Sequence, residues 1–192
     1  MHFALFDTPI GRCGVAWGEH GIVGVQLPER NERATLERLR RRFPTVTEAA
    51  PPEPVQRAID GIVAALRGQR PDLSSIELDM ADIPDFQQRV YAVARSIPPG
   101  ATLSYGEIAN RLGDRSMARD VGQAMGQNPF PIIVPCHRVL AAGGKVGGFS
   151  AAGGITTKLK LLNIEGAHIG DAPTLFEALP LQAGPRIGAR HK

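Results

Sequence analysis

The hydrophobic pattern of this chain changes period near Ala81-Asp82-Ile83-Pro84, and that change limits the fold more than any other feature. Before it, Phe3-Ala4-Leu5-Phe6, Cys13-Gly14-Val15-Ala16-Trp17 and Ile22-Val23-Gly24-Val25-Gln26-Leu27 read as strands. Pro9-Ile10-Gly11 and Glu19-His20-Gly21 separate them as turns, which predicts an antiparallel meander. Leu36 and Leu39 predict a helix over Glu32 to Arg42, and its run Arg38-Leu39-Arg40-Arg41-Arg42 reads as a solvated face. Pro51-Pro52-Glu53-Pro54 is a loop, a second helix covers Val55 to Gly68, and Ile76-Glu77-Leu78-Asp79-Met80 reads as one more strand.

After the break the period is helical. Asp85 is placed to cap a helix with Phe86, Val90, Val93, Ala94 and Ile97 on one face, which Pro98-Pro99-Gly100 stops. Ser104 and Glu107 form a capping box that opens a helix ending at Gly113. The short turn Gly113-Asp114-Arg115 leads into a third helix, from Ser116 to Gln127, so the pair reads as a helix-turn-helix. A last helix runs from Gly154 to Glu165, with Gly166 at its C-cap position. The expected architecture is α+β, in two small domains. Residues 1–83 form an antiparallel β-meander domain with helices, a support. Residues 84–170 form a helical helix-turn-helix domain, and residues 171–192 a loosely ordered extra tail rich in Pro, Gly and Ala.

Composition removes several classes of function. Cys13 and Cys136 are the only cysteines, no CxxC pair exists, and the five histidines are scattered, so neither a disulfide framework nor a structural zinc site is expected. There is no long apolar run and no signal-peptide pattern, so the expectation is a soluble, cytoplasmic protein without membrane contact. The net charge of +3 is mildly basic. Residues 85–170 hold nine basic and five acidic side chains, so this segment alone exceeds the excess of the whole chain. A phosphate backbone is a natural partner for such a segment.

Three motifs carry chemistry. Ala118, Gly122 and Gly126 repeat every four residues along the third helix, beside a polar stripe of Arg115, Arg119, Gln123 and Gln127. Periodicity leaves two readings open: tight helix packing with a solvated face, or close approach to nucleic acid. Gly143-Gly144-Lys145-Val146-Gly147-Gly148-Phe149-Ser150 is a glycine-rich loop without the order of a P-loop or a Rossmann turn; it suits close approach to a flat ligand. The third motif is Pro131-Ile132-Ile133-Val134-Pro135-Cys136-His137-Arg138-Val139-Leu140, which reads as a buried strand running into a thiol, an imidazole and a guanidinium. A thiol is a nucleophile as thiolate, and cationic or basic neighbours lower its pKa. His137 can serve as base directly or through a water, and Glu165 is a candidate carboxylate to orient it. Spacing alone leaves a cysteine hydrolase or a redox thiol open.

Pro135-Cys136-His137-Arg138-Val139 resembles the signature of the O6-alkylguanine-DNA alkyltransferases. The resemblance continues through Ile97-Pro98-x-Gly100 with Ser104-Tyr105, and through Arg119-x-Val121-Gly122-x-Ala124 followed by Asn128-Pro129-x-Pro131. It ends in Gly153-Gly154-x-x-x-Lys158-x-x-Leu161-Leu162-x-x-Glu165, so it is specific from about Phe86 to Gly166. Thr8-Pro9-Ile10-Gly11 matches it more weakly near the N-terminus.

What the resemblance implies is a winged-helix-like alkyltransferase domain that repairs DNA by direct reversal, as a monomer and without a cofactor. It would bind the minor groove of double-stranded DNA and flip out O6-methylguanine, with O4-methylthymine a further substrate. Cys136 would take the alkyl group once, with no turnover. His137 would receive the thiol proton through a water, and Glu165 would hold its tautomer. Tyr105 would donate to N3 of the leaving guanine. Asn128 would brace the hinge before the cysteine. Arg119 would fill the space of the flipped base, with Ala118, Gly122, Arg115 and Gln123 on the DNA-facing helix. Ser150 would contact O6, the carbonyls of Cys136 and Val139 would accept from the exocyclic amine, and Phe149 and Lys158 would complete the pocket. Phe149 departs from the tyrosine of many members, which touches substrate range rather than chemistry. With no cysteine-rich zinc module, a second, phosphotriester-repairing function is not expected. A damage sensor that binds alkylated guanine without transfer is the nearest alternative, and an intact Cys136 with His137 and Glu165 argues against it.

Overall fold

The computed structural model describes residues 1–167. The expected tail at 171–192 and the last three residues of the 84–170 segment lie outside the described residues. Strands β1 (His2–Thr8), β2 (Gly11–Gly18) and β3 (Gly21–Gln26) form the expected antiparallel meander. A two-residue strand, β4 (Thr47–Glu48), adds to β1 in parallel and gives the order β3-β2-β1-β4. Ile76–Met80 is not a strand. Leu78 makes one isolated bridge to Ile22, where Asp79 N donates to the Ile22 carbonyl at 2.8 Å.

Each face of this sheet carries a helix. The helix α1 (Glu32–Arg42) covers one face, with Phe3, Ala16, Leu39 and Val46 forming a small core beneath it. Its seat is close because two strand positions lack side chains. A Cβ on Gly14 would stand 2.5 Å from Leu39 Cδ1, and one on Gly24 would collide with the Phe43 ring. The other face carries Cys13, Val15, Trp17, Val25 and Leu27 into the main core, which Val55, Ile59, Ile62 and Leu66 of α2 (Glu53–Leu66) join. That core continues without a break through Val90, Tyr91, Ile108, Val121, Phe130, Val139 and Leu161, so the two halves of the chain share it.

The second half is helical: α3 (Asp85–Arg95), α4 (Tyr105–Arg111), α5 (Ala118–Gly126) and α6 (Ile155–Ile164). Pro84, not Asp85, is the N-cap of α3; Asp85 is its first residue, where a carboxylate still complements the helix dipole. The capping box is present, with Ser104 N donating to Glu107 Oε2 at 2.6 Å and Glu107 N donating to Ser104 Oγ at 3.2 Å. The expected third helix is divided: Arg115–Met117 is a 3-10 turn capped by Asp114, and α5 follows it. Strands β5 (Leu103–Ser104) and β6 (Val139–Leu140) pair in parallel and tie the start of α4 to the segment after Cys136. Among the described residues no helix is long and apolar enough to cross a membrane.

Candidate active site

The segment Pro131–Val134 is a tight turn and not the buried strand that its apolar residues suggest. Ile132 has φ 75°, a left-handed conformation that a β-branched residue adopts at a cost of about 1–3 kcal/mol. The surrounding bonds hold it there. Val134 N donates to the Phe130 carbonyl at 2.8 Å. Asn128 Nδ2 donates to the Val134 carbonyl at 2.8 Å, and Asn128 Oδ1 accepts from Phe130 N at 2.9 Å. The turn delivers Cys136, His137 and Arg138 as one 3-10 turn, all three buried.

His137 is 1% exposed, and its Nε2 lies 2.9 Å from Glu165 Oε1. Glu165 caps the C-terminus of α6, an end where a carboxylate is disfavoured unless something holds it. Arg138 is what holds it: Nε donates to Oε2 at 2.9 Å and Nη2 donates to Oε1 at 2.8 Å. The third arm of the guanidinium, Nη1, donates to the Ile97 carbonyl. Burial works against the carboxylate, but the bonds from His137 and Arg138 win and bring its pKa down to about 2. Burial lowers the pKa of His137 in spite of Glu165, so its resting form is the neutral imidazole. With an ionised carboxylate on Nε2–H, the free lone pair belongs to Nδ1. That atom is buried and has no hydrogen-bond partner among the described residues. Its lone pair is therefore free to accept a proton.

Burial pushes the Cys136 thiol up, while the Asn128 amide, the Lys158 ammonium and the backbone N–H groups of Cys136 and His137 act the other way. The resting residue is therefore a thiol that needs a base. Lys158 is fully buried, its Nζ donates to the Val139 carbonyl at 2.6 Å, and burial brings its pKa down to about 8. It is neither a solvated lysine nor a wall of either cavity described next, and Val139 likewise stands off both walls.

Cys136 opens on two cavities that also share Gly126, Phe149 and Ser150. One, of about 390 Å³, is lined further by Tyr105, Gly122, Met125 and Gly148 and has no charged wall. The Tyr105 hydroxyl is a neutral donor there, its pKa raised by burial and by Cys136. The other, of about 550 Å³, reaches across to Arg38, Arg41 and Arg42 of α1. The arginine face of α1 is thus turned toward the cysteine, and Arg38 Nη2 donates to the Ser150 carbonyl at 3.2 Å. Arg40, Arg41 and Arg42 are exposed, as a solvated face requires, and Arg38 is half-buried.

The glycines of α5 are also accounted for. A Cβ on Gly122 would meet nothing nearer than the Tyr105 ring at 4.0 Å, and one on Gly126 nothing within 4 Å. Helix packing does not require them; both line the uncharged cavity and keep it open. Arg115, Arg119 and Gln123 are exposed alongside, and Ala118 is half-buried. Among the described residues no group of three or more His, Cys, Asp or Glu is placed to hold a metal ion. Arg138 is the site residue that sequence reasoning missed. Its signal was present: a carboxylate at a helix C-terminus demands a cation, and Arg138 adjoins His137.

Residues 85–167 match the family described as 6-O-methylguanine DNA methyltransferase, DNA binding domain. A methylated-DNA–protein-cysteine methyltransferase of Mycobacterium bovis is 40% identical over 178 residues, covering 92% of this chain and 99% of that protein. One from Methanothermobacter thermautotrophicus is 33% identical over 161 residues, covering 84% of this chain and 83% of that one. Among solved structures, Mycobacterium tuberculosis OGT in complex with DNA superposes with a TM-score of 0.69 at 36% identity, over 86% of this chain and 93% of that one.

Proposed function

This chain belongs to the methylated-DNA–protein-cysteine methyltransferase family, and from that premise we propose that Cys136 is its alkyl acceptor. The protein repairs DNA by transferring the alkyl group of O6-methylguanine to its own cysteine. The observation that carries the assignment is the buried chain Arg138–Glu165–His137, which ends in an unpartnered Nδ1 next in sequence to a cysteine facing an uncharged cavity.

The step follows from the groups present. The Cys136 proton passes to His137 Nδ1 through a water, and Glu165 stabilises the imidazolium without taking the proton, since Arg138 keeps it ionised. The Sγ lone pair forms a bond to the methyl carbon, the C–O6 bond breaks, and its electron pair returns to the guanine. Tyr105 donates to N3 as negative charge grows there. The displaced proton ends on the restored base. The product is a thioether, which does not hydrolyse, so each molecule acts once. Asn128 holds the turn before Cys136. Ser150 contacts O6 from the loop, and Phe149 covers the base. The Val139 carbonyl already accepts from Lys158 and has a second lone pair for the exocyclic amine.

DNA reaches the site as a flipped nucleotide. The α5 face with Ala118, Gly122, Gln123 and Arg115 lies in the minor groove, Arg119 occupies the place of the extruded base, and the protein acts as a monomer. The division into a supporting unit over 1–83 and a DNA-binding unit over 84–170 belongs to this same reading. The test is intact mass and peptide mapping after mixing the protein with an equal amount of duplex carrying one O6-methylguanine. The expected result is a gain of one methylene on the Cys136 peptide and restored guanine in the DNA. Cys136→Ala should bind the same duplex and gain nothing. Lesion-dependent binding by the wild type with no mass gain would make the protein a damage sensor instead.

A further inference from the structure

No helix or strand lies between α2 and α3, and one side chain gathers the connecting backbone. Arg95, the last residue of α3, places Nη2 2.7 Å from the Ser74 carbonyl oxygen, 2.9 Å from that of Leu73 and 3.2 Å from that of Ile76. Asp72 shapes the same stretch from within, its Oδ1 accepting from Ser74 N at 2.8 Å. Arg95 makes no ion pair among the described residues, so its guanidinium is spent on these carbonyls. The connecting segment lies at the back of the active site. A cavity of about 130 Å³ is lined by Leu73, Ser74 and Arg95 together with Arg138 and Glu165, and Cys136 is not on its wall. The root of the segment also meets α6. A Cβ on Gly68 (φ 80°) would stand 3.2 Å from the Ile164 carbonyl oxygen, and one on Gly100 (φ 86°) 3.2 Å from that of Glu165. The backbone that carries Glu165 is therefore seated against two glycines, one from each half of the chain.

We propose that Arg95 is a positioning residue for alkyl transfer: by holding residues 73–76 it keeps the 67–76 segment against α6 and fixes the Glu165 carboxylate on His137. This rests on the alkyl-transfer reading of Cys136. Glu165 serves the reaction through one bond of 2.9 Å to His137 Nε2, made where little water reaches it, since its side chain is 9% exposed. Release of the three carbonyls would act on that bond in two ways. The cavity behind Arg138 and Glu165 would open, and water would screen the carboxylate from the imidazolium. The seat under the last turn of α6 would loosen, and the carboxylate would drift from the position that the imidazole needs. Both slow the step in which His137 takes the thiol proton, although Arg95 touches no reacting atom. The first half of the chain is then more than a support, because its 67–76 segment helps to place the carboxylate.

The test measures single-turnover transfer from a duplex carrying O6-methylguanine, at saturating protein, and separately the affinity for that duplex in a Cys136→Ala background. Arg95→Met should lower the transfer rate constant about tenfold and leave affinity within about twofold. Arg95→Lys, which keeps a donor for the carbonyls, should recover most of the rate. Added to Glu165→Gln, Arg95→Met should slow transfer by less than about twofold more, because the group it positions is already lost. Gly68→Ala reaches the same seat from the other end and should match Arg95→Met in both respects. Transfer by Arg95→Met at the wild-type rate overturns the proposal. Losses that multiply in the double variant also overturn it, since they give Arg95 a role independent of Glu165. If Arg95→Met does not bind the duplex, Gly68→Ala decides by the same comparison, and binding lost in step with transfer in both variants overturns the proposal. Absence of transfer by the wild type overturns the function itself, whereas failure of the present proposal alone leaves methyl transfer intact.

Discussion

Arg138 decides how the site behaves, although it touches no reacting atom. Without it, Glu165 would be a buried carboxylate on a helix C-terminus with a neutral histidine for company. Such a group takes a proton, and a protonated Glu165 could no longer stabilise an imidazolium. With it, the carboxyl is held at about 2, below its ordinary 4.5. The linkage has a definite sign. A depressed carboxylate pKa adds stability that is complete above about pH 4.5 and is lost as pH falls through about 2, and this displacement corresponds to about 3 kcal/mol. Arg138→Leu should therefore destabilise the protein by about 3 kcal/mol at pH 7, since it strands a buried charge. The gap between variant and wild type should narrow as pH falls below 4.5 and close as it nears 2. Urea denaturation at stepped pH measures this, and a gap independent of pH would mean that Arg138 contributes by packing alone.

At the scale of elements, the seat of α1 depends on two residues with no side chain. Gly24 is the more demanding, because the Phe43 ring occupies the place of its Cβ. Gly24→Ala should push the end of α1 off the sheet and cost about 1–3 kcal/mol. It should also weaken the Arg38 bond to the Ser150 carbonyl, which more frequent proteolytic cleavage of the 143–151 loop would report. Unchanged stability together with unchanged cleavage would mean that Phe43 turns aside freely. The sequence shows α1 clearly, from Glu32 to Arg42, because its helical period is local. It does not show where the arginine face points, because that follows from Gly14 and Gly24 in other strands. The same division holds elsewhere. The capping box at Ser104 is four residues long and legible; β4 is two residues held by β1 and is not. Cys136, His137 and Glu165 are legible as chemistry, and the last is also out of place on its helix. The left-handed Ile132 is not legible, since Ile-Ile-Val favours a strand and only the Asn128 and Phe130 bonds overrule it.

For the whole molecule, charge placement gives the proposed DNA interface its test. The 85–170 segment alone exceeds the basic excess of the whole chain, and Arg115 and Arg119, four residues apart, are both exposed. Equal charge and equal exposure would make them interchangeable if phosphate attraction were their whole role. They differ in setting. Arg115 sits in the 3-10 turn at the entry to α5, while Arg119 lies within α5 three residues before Gly122, which lines the uncharged cavity; in the proposed reading the first meets backbone phosphates and the second the extruded base's place. Arg115→Ala should therefore weaken binding to damaged and undamaged duplex alike and reduce the slope of log affinity against log salt by about 1. Arg119→Ala should leave binding to undamaged duplex within about twofold and remove most of the lesion preference, because an empty stack collapses back on the extruded base. Salt titrations on both duplexes read the first effect. The fluorescence of a 2-aminopurine placed opposite Cys136 as the extruded base reads the second. Matching losses for the two variants on every duplex would reduce Arg119 to one more phosphate contact, and the opening of the helix would then have to come from the α5 backbone pressed into the groove at Gly122.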